Sequence, residues 1–545
     1  MRVDTAKTVY RDIEKNKENF KSHWEDLSQF MAPTRGVFDK DKDSSNDRKK
    51  TNYKKLINNT VFLAIDTLAA GMLNGLTSPS REWFKLTTAL SEHLEVAQWA
   101  NEIKKKMEHI FQRSNFYNTL HNIYQELEVF GTGCFIIDHD FKNVINCTQF
   151  TINEYSIAYD TKGRPNIFGR EFMMTAQQMV EDFGYENVSD SVRNNYDNQK
   201  YSTPYKVYHL ICENKNRDKS KKDNKNFKYK SVYWQKGEDK FLKESGYNYF
   251  PVVAPRYAVN SSCDTYGYGI GDKVLGDLRQ LQKMEQVKLI GLQKTVEPPL
   301  AVSSAVQGKI NVAPNGITRF SGQTDSAIYS LYKGQIDLQS ISLEIEKVQK
   351  RILNNFYYDV FLMLTSQEYA RMTATEVAER HQEKLMMLGP VLQRLNSELL
   401  DPAIEITFNI MLEHGLIPEP PEILDGESLN VEYVSIIAQA QKAQGMSELN
   451  QIIAFVGQVA QVSPETLDTI DFDEAVYTAV DKIGADPKII RSKQQIEAIR
   501  QQRALQQQKQ QELANANAEA DTMEKLSKAN MSEENALTAI TEGMQ

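Results

Sequence analysis

At 545 residues the chain is longer than one ordinary hydrophobic core can organise, so two or more structural regions are expected. Apolar residues make up 41% and charged residues 25%, an ordinary soluble composition, and no run of about 18 uncharged apolar residues offers a membrane-crossing helix. A formal net charge of −9 argues against a chain that coats nucleic acid, because phosphate binding draws on Lys and Arg to release counterions.

Met1 to Lys21 is charged and has no apolar stretch, so no secretory leader is read there. Cys134, Cys147, Cys212 and Cys263 lie far apart with no C-x-x-C pair, which reads as reduced thiols. Up to about Phe130 the chain reads as mostly helical. Trp24, Leu27, Phe30 and Met31 form one apolar face that stops at Ala32-Pro33. Asp39-x-Asp41-x-Asp43 suggests a calcium loop, yet the sixth position is Ser44 and the twelfth Lys50, so it reads as a solvated charged loop. Asn58 to Leu76 is a helix rich in small residues, Thr77-Ser78-Pro79 turns the chain, and Trp83-Phe84-x-Leu86 follows. Asn118 to Phe130 is a further helix, broken by Gly131-Thr132-Gly133 before an apolar strand from Cys134 to Ile137.

From there to about Pro255 the period shortens toward two. Strands are expected at Gln149–Ile152, Ser156–Tyr159, Lys206–Cys212, Tyr229–Trp234 and Phe250–Ala254. Glu213 to Lys230 carries eight Lys and Arg diluted by Asn and Asp, a solvated hairpin loop rather than a nucleic-acid patch.

Residues 269 to 378 form the organising stretch: helix, β-like insert, helix, loop, helix. The first helix spans about Gly271 to Val296, with Val274, Leu278, Leu281, Leu289, Leu292 and Val296 at three- and four-residue spacing around a polar gap at Glu285. Glu297-Pro298-Pro299 stops it. Leu300 to Gln335 reads as short strands and turns around Gly308, Pro314-Asn315-Gly316, Gly322 and Gly334. The second helix carries Leu338, Ile341, Ile345, Val348, Ile352, Phe356, Val360 and Met363 in a narrow seam suited to packing against neighbouring helices. One such hairpin cannot bury its seam alone, and a ring of identical chains would satisfy it. Leu364 to Met372 is a linker, and Thr373 to Glu376 is a capping box that opens a third helix, kinked at Pro390. Asp401-Pro402 caps a helix running to His414, with Gly415 as its stop. Pro418 to Pro421 is a linker, 430 to 485 reads as amphipathic helix, and from Lys493 the chain is a Gln/Ala/Glu/Lys-rich helical tail.

Catalytic signatures are missing. No G-x-x-x-x-G-K-[ST], H-E-x-x-H or G-x-S-x-G occurs, and no two histidines share a helical metal spacing. Gly267-x-Gly269-x-Gly271 lacks the βαβ context of a nucleotide site and reads as a backbone turn into the first long helix.

The run Gly267-Tyr268-Gly269-Ile270-Gly271, then Leu275-Gly276-Asp277-Leu278, Lys294-Thr295-Val296-Glu297-Pro298-Pro299-Leu300, Thr373-Ala374-Thr375-Glu376-Val377 and Leu388-Gly389-Pro390 resembles the head-to-tail connecting (portal) proteins of T7-type short-tailed bacteriophages. The Leu-Ala-Ala-Gly helix at 68–71 and the Trp83-Phe84-x-Leu86 segment agree with it, and the resemblance covers roughly residues 20 to 415.

The resemblance implies an α+β, mainly helical ring subunit with no enzymatic activity and no cofactor. Residues 1–262 (β-rich from about 134 to 260) with 375–430 would be the wing. Residues 271–297 and 336–363 would be the stem, 298–335 the clip, 364–374 a tunnel loop and 431–545 the crown with its Gln-rich tail. Subunit packing would fall to Leu278, Leu281, Leu289, Leu292, Leu338, Ile341, Ile345, Val348 and Ile352. Pro298, Pro299, Lys309, Asn315, Arg319 and Tyr329 of the clip would dock the terminase large subunit and then tail adaptor proteins. Ser366, Gln367, Glu368, Tyr369 and Arg371 would face double-stranded DNA. The ring, a dodecamer, would sit at one capsid vertex of the virion beside major capsid and scaffolding proteins, after assembly in the host cytoplasm. An acidic wall suits a conduit, which must not grip the phosphate sliding past it. Rival readings are a tail or collar ring that does not gate DNA, and an enzyme with an unrecognised site in 134–260.

Overall fold

The computed structural model describes residues 2–38, 56–88, 94–218, 220–221, 223–261, 264–302, 310–311, 328–330, 337–359, 389–424, 430–433, 451–460, 463, 465, 469–483 and 493–527. The chain is α+β and falls into two units, 1–88 with 99–441, and 89–98 with 442–545.

In the first unit, α1 (Val3–Met31) buries Trp24, Leu27 and Met31 as its spacing predicts. α2 (Thr60–Leu76) packs through Ala64 and Ala69, both fully buried, and the small side chains let neighbouring helices approach. β1 (Phe84–Thr87) follows, then α3 (Leu94–Arg113), which belongs to this unit from Trp99 onward, and α4 (Phe116–Phe130). Gly131 ends α4 in the left-handed region at φ +75°, where glycine carries no steric cost.

The β-rich part comprises β2 (Cys134–Asp140), β3 (Val144–Phe150), β4 (Tyr155–Tyr159), β5 (Pro165–Thr175), α5 (Ala176–Phe183), α6 (Asp190–Asp197), β6 (Pro204–Glu213), β7 (Tyr229–Gln235), β8 (Phe241–Tyr247) and β9 (Val252–Val253). β4 to β8 make a five-stranded antiparallel meander, and β3-β2-β9 a three-stranded sheet. The basic stretch after Glu213 is the β6–β7 hairpin loop, with Glu213 paired to Tyr229. One face of the meander is covered by Ala6, Tyr10 and Ile13 of α1 against Leu210, Val232 and Trp234. The other is covered by Met179 and Phe183 of α5 and Val192 of α6 against Val207 and Leu242.

Several sequence expectations shift here. Residues 151–154 turn rather than extend, and β3 lies before them. β5 escapes a pattern reading because Gly169 breaks its run, yet a Cβ at Gly169 would lie 2.8 Å from the Tyr10 ring, so the glycine makes room for α1 on the sheet.

α7 (Ile270–Val296) and α8 (Leu338–Asn355) are the long helices after the meander. Between them β10 (Leu300–Val302) pairs antiparallel with β11 (Ile328–Ser330). α8 ends at Asn355: Phe356 is buried and Tyr357 has φ +53°, a left-handed break, after which 358–359 are helical again, and Val360 and Met363 of the expected seam lie outside the described residues. α9 (Gly389–Leu395) passes through a π turn, Asn396–Leu400, into α10 (Asp401–Glu413). Asp401 is therefore not a cap. The backbone stays helical through Leu400, and the wider turn accommodates Pro402, which has no N–H to donate. Pro390 opens the described helix, and the expected third-helix residues before Gly389 lie outside the described residues. β12 (Asn430–Tyr433), expected as helix, is instead the antiparallel partner of β1.

The second unit contains a helical stretch over 451–460, α11 (Phe472–Ile483) and α12 (Lys493–Ser527). At 1.5 Å per residue α12 is about 50 Å long. Arg500 pairs with Asp473 at 2.7 Å, while residues 501–520 of α12 are exposed throughout.

Candidate functional site

α7 is aimed by a glycine crossing. Gly267, Gly269 and Gly271 lie against the end of α4: Cβ atoms there would stand 2.4 Å from Gly131 O, 2.6 Å from Glu128 O and 2.3 Å from Val129 O. Only bare backbone fits at these separations. Thr132 Oγ1 accepts from the Gly267 amide at 2.8 Å, and Asp272 Oδ2 accepts from the Gly269 amide at 2.6 Å, capping the helix. The glycines thus serve a backbone turn, as their context predicted.

Along α7 the polar gap also has a structural use. Gln282 Oε1 accepts from the amides of Ile57 and Asn58 at 2.8 and 3.1 Å, its Nε2 donates to Asn58 O at 2.9 Å, and Asn58 Nδ2 donates to Glu285 at 2.9 Å. These side chains clamp the extended segment, residues 57–58, that leads into α2. Arg351 of α8 reaches Asp277 of α7 at 2.9 Å across the hairpin.

The expected subunit-packing residues divide into two groups. Leu278, Leu281, Ile345, Val348 and Ile352 are buried in the chain's own main core, so they are not available to a neighbour; each contributes roughly 1.5–3 kcal/mol to this chain's fold. The reading of them as subunit contacts is corrected on that ground: α1, α4 and α8 pack against α7, and α7 and α2 pack against α8. Leu338 and Ile341 are half-buried. Leu289 and Leu292 are exposed, and with Val296, 78% exposed, they prolong the Val274–Leu278–Leu281 stripe beyond the core. Val287 and Ile290, also exposed, lie on roughly the opposite side of the same helix turn. The outer half of α7 is therefore apolar on two sides, with Leu300, Val302 and Leu343 exposed next to it in sequence or across the hairpin.

Of the clip residues, Pro298 is half-buried and Pro299 exposed, just past the end of α7. Tyr329 sits in β11 opposite Ala301. Lys309, Asn315 and Arg319 lie outside the described residues, as does the whole tunnel loop, Ser366, Gln367, Glu368, Tyr369 and Arg371 included.

The strongest shifts among the acidic groups of the β-rich part and α4 come from burial. Burial pushes the Glu128 carboxyl well above the usual range, opposed by Arg35, and its oxygens meet no hydrogen-bond partner. Burial likewise raises the thiols of Cys134, Cys147 and Cys212, the last partly offset by Lys230. Cys263 lies outside the described residues. Among the described residues no group of three His, Cys, Asp or Glu is placed to hold a metal, and no helix is long and apolar enough to cross a membrane.

Sequence reasoning missed the clamp at Gln282, although a buried glutamine within an apolar stripe was a visible signal. It also missed Arg256, whose guanidinium and amide donate to Glu398 at 2.8–3.0 Å while it covers the Tyr159 ring at 4.2 Å. Nothing local to either residue announces that pair.

Residues 3–490 match the family model described as bacteriophage head to tail connecting protein. The chain is 40% identical over 532 residues to a probable portal protein of Bordetella phage BPP-1, covering 96% of this chain and 95% of that one. It is 36% identical over 539 residues to the portal protein of Salmonella phage epsilon15, covering 97% and 96%. A looser likeness, with TM-score 0.35 and 10% identity over 73% of this chain and 86% of the other, is to a chain of the virion of a native gene transfer agent particle. The chain belongs to the family of bacteriophage head-to-tail connecting proteins.

Proposed function

We propose that this protein is a portal subunit, a structural component that performs no reaction, whose copies close into a ring through which double-stranded phage DNA is packaged and ejected. The observation that carries the reading is the outer half of α7, apolar on two sides at Leu289, Leu292 and Val296 and at Val287 and Ile290. A helix with two apolar sides needs a neighbour on each, and a head-to-tail contact repeated by rotation closes into a ring.

In this reading residues 271–297 and 336–363 form the stem, with only its outer half contacting neighbours. Residues 298–335 form the clip, which docks the terminase large subunit during filling and tail adaptors afterwards, using Pro298, Pro299, Lys309, Asn315, Arg319 and Tyr329. Residues 364–374 form the tunnel loop, where Ser366, Gln367, Glu368, Tyr369 and Arg371 make transient contacts with DNA. Residues 1–262 and 375–430 form the wing, next to capsid and scaffolding proteins, and 431–545 the crown. The net charge of −9 keeps the ring from holding the phosphate backbone. The two phage relatives are named portal and probable portal protein, which favours a DNA conduit over a plain collar ring.

Negative-stain imaging of the purified full chain tests the reading. Twelve-fold rings with a central hole wide enough for a duplex are expected; a population of single chains at assembly concentrations, with capsid partners present, would overturn it.

A further inference from the structure

One face of α3 lines a cavity of about 570 Å³ that the conduit reading does not use. Residues of α3 at helical spacing share it with the β2–β3 turn and the end of α10. Its basic side chains are Lys105, Lys106 and Arg113 from α3 and Lys142 from the turn, with His109 beside them, against one lining carboxylate among the described residues, Glu102. Lys106 bridges Glu102 at 3.0 Å, which neutralises that carboxylate, and also donates to Leu416 O at 3.3 Å. The apolar lining is Ile110, Val144, Met411 and Leu416. At the tip of the turn Phe141 is fully exposed. Val144 adopts φ +70°, a conformation that a β-branched residue rarely takes, and it lines the cavity from there.

The geometry points to a docking site for an acidic peptide segment of another protein, anchored by one large apolar side chain in the well and held by carboxylates on the basic rim. Charge complementarity selects the partner: in a chain of net charge −9 this rim is a local reversal of sign. The apolar well selects peptide over nucleic acid, because phosphate contacts need a basic surface and have no use for a greasy recess. The cavity size is that of a site for a few side chains, and the exposed Phe141 precedes the lining residues Lys142, Asn143 and Val144 in the same turn. The site lies apart from the stem, the clip and the tunnel loop in sequence, so it would serve a partner other than the DNA motor.

The test uses assembled rings of the full chain and a fluorescein-labelled peptide bearing several glutamates on both sides of a Leu-Phe pair, read by fluorescence anisotropy. Saturable binding is expected that weakens with added NaCl and is lost when the glutamates become glutamines. Arg113→Glu/Lys142→Glu, on exposed residues, should weaken it by about tenfold or more, and Leu416→Asp should do the same through the well. Absence of binding, binding unchanged in both variants, or equal binding of the glutamine peptide would overturn the proposal. Displacement by a short DNA duplex at lower concentration than by unlabelled peptide would make the face a nucleic-acid surface and overturn it too. Binding by separated subunits that vanishes in rings would assign the cavity to a second copy of this chain, with the same consequence.

Discussion

Gly271 lies so close to Val129 that a Cβ on it would stand 2.3 Å from the Val129 carbonyl oxygen. The oxygen belongs to backbone, which cannot rotate away as a side chain would. Gly271→Ala should therefore push α7 off α4 and cost about 1–3 kcal/mol in urea titration of the subunit. Gly276→Ala, on the same helix with nothing within 4 Å of its Cβ position, should be neutral or add about 0.5–1 kcal/mol. Equal effects at the two positions would mean that the crossing does not set the helix.

The two halves of the stem predict opposite mutant behaviour. Ile345 is 3% exposed within the core, so Ile345→Asp buries an unpaired charge and should cost more than about 3 kcal/mol of subunit stability. Leu292 is 41% exposed in the single chain, so Leu292→Asp should leave subunit stability within about 0.5 kcal/mol and abolish rings. Circular dichroism melting paired with size-exclusion chromatography separates the outcomes. Intact rings from Leu292→Asp would remove the outer half of α7 from the subunit interface.

Arg256 and Glu398 join the β-rich part to the π turn before α10, and both are largely shielded from water. Removing one partner strands the other, so Glu398→Ala should lose about 3–5 kcal/mol in denaturant titration. Glu398→Gln should lose less, because the amide oxygen still accepts from the Arg256 amide.

His23 of α1 meets Asp272 of α7 at 2.5 Å, and that hydrogen bond holds the imidazole above its ordinary value against the opposing pull of burial and Arg279. The folded state thus favours the protonated ring. Its contribution is complete below about pH 6.5, the ordinary histidine value, and is lost as pH rises through the raised one. Stability measured by urea titration from pH 5 to pH 9 should fall through that window, and His23→Gln should flatten the fall. An unchanged slope would place the proton elsewhere.

Glu128 slopes the same way for a different reason. Desolvation raises its carboxyl, so folding takes up a proton whenever the unfolded carboxyl is ionised, and the cost grows with pH above the ordinary carboxylate range. Glu128→Gln should gain on the parent progressively from pH 5 to pH 8 and converge with it in acid. A constant difference across that range would show that Glu128 does not titrate on unfolding.

What was legible in the sequence was what local chemistry fixes. α7 begins within a residue of its expected start because the glycine run leads into it, and it ends at Val296 because two prolines follow. The hairpin loop after Glu213 and the stop at Gly131 were likewise visible. What was hidden depends on distant partners. Gly169 looks like a strand breaker until Tyr10 is placed on top of it. Ile345 and Leu292 have the same apolar character and the same spacing, and only the surrounding helices decide that one is interior and the other is not. The cavity on α3 needs Lys142 from a turn and Leu416 from beyond α10, which no window on α3 contains.

The pairing of Leu86 with Val431 has a consequence for synthesis. Trp83 and Phe84 are buried beside a strand whose mate is translated near the end of the first unit, so the emerging polypeptide carries an open edge until Tyr433 leaves the ribosome. Products released before Asn430 keep that edge bare and are predisposed to stick to one another, which makes emergence of the Asn430–Tyr433 strand, rather than completion of any single helix, the event that seals this part of the molecule.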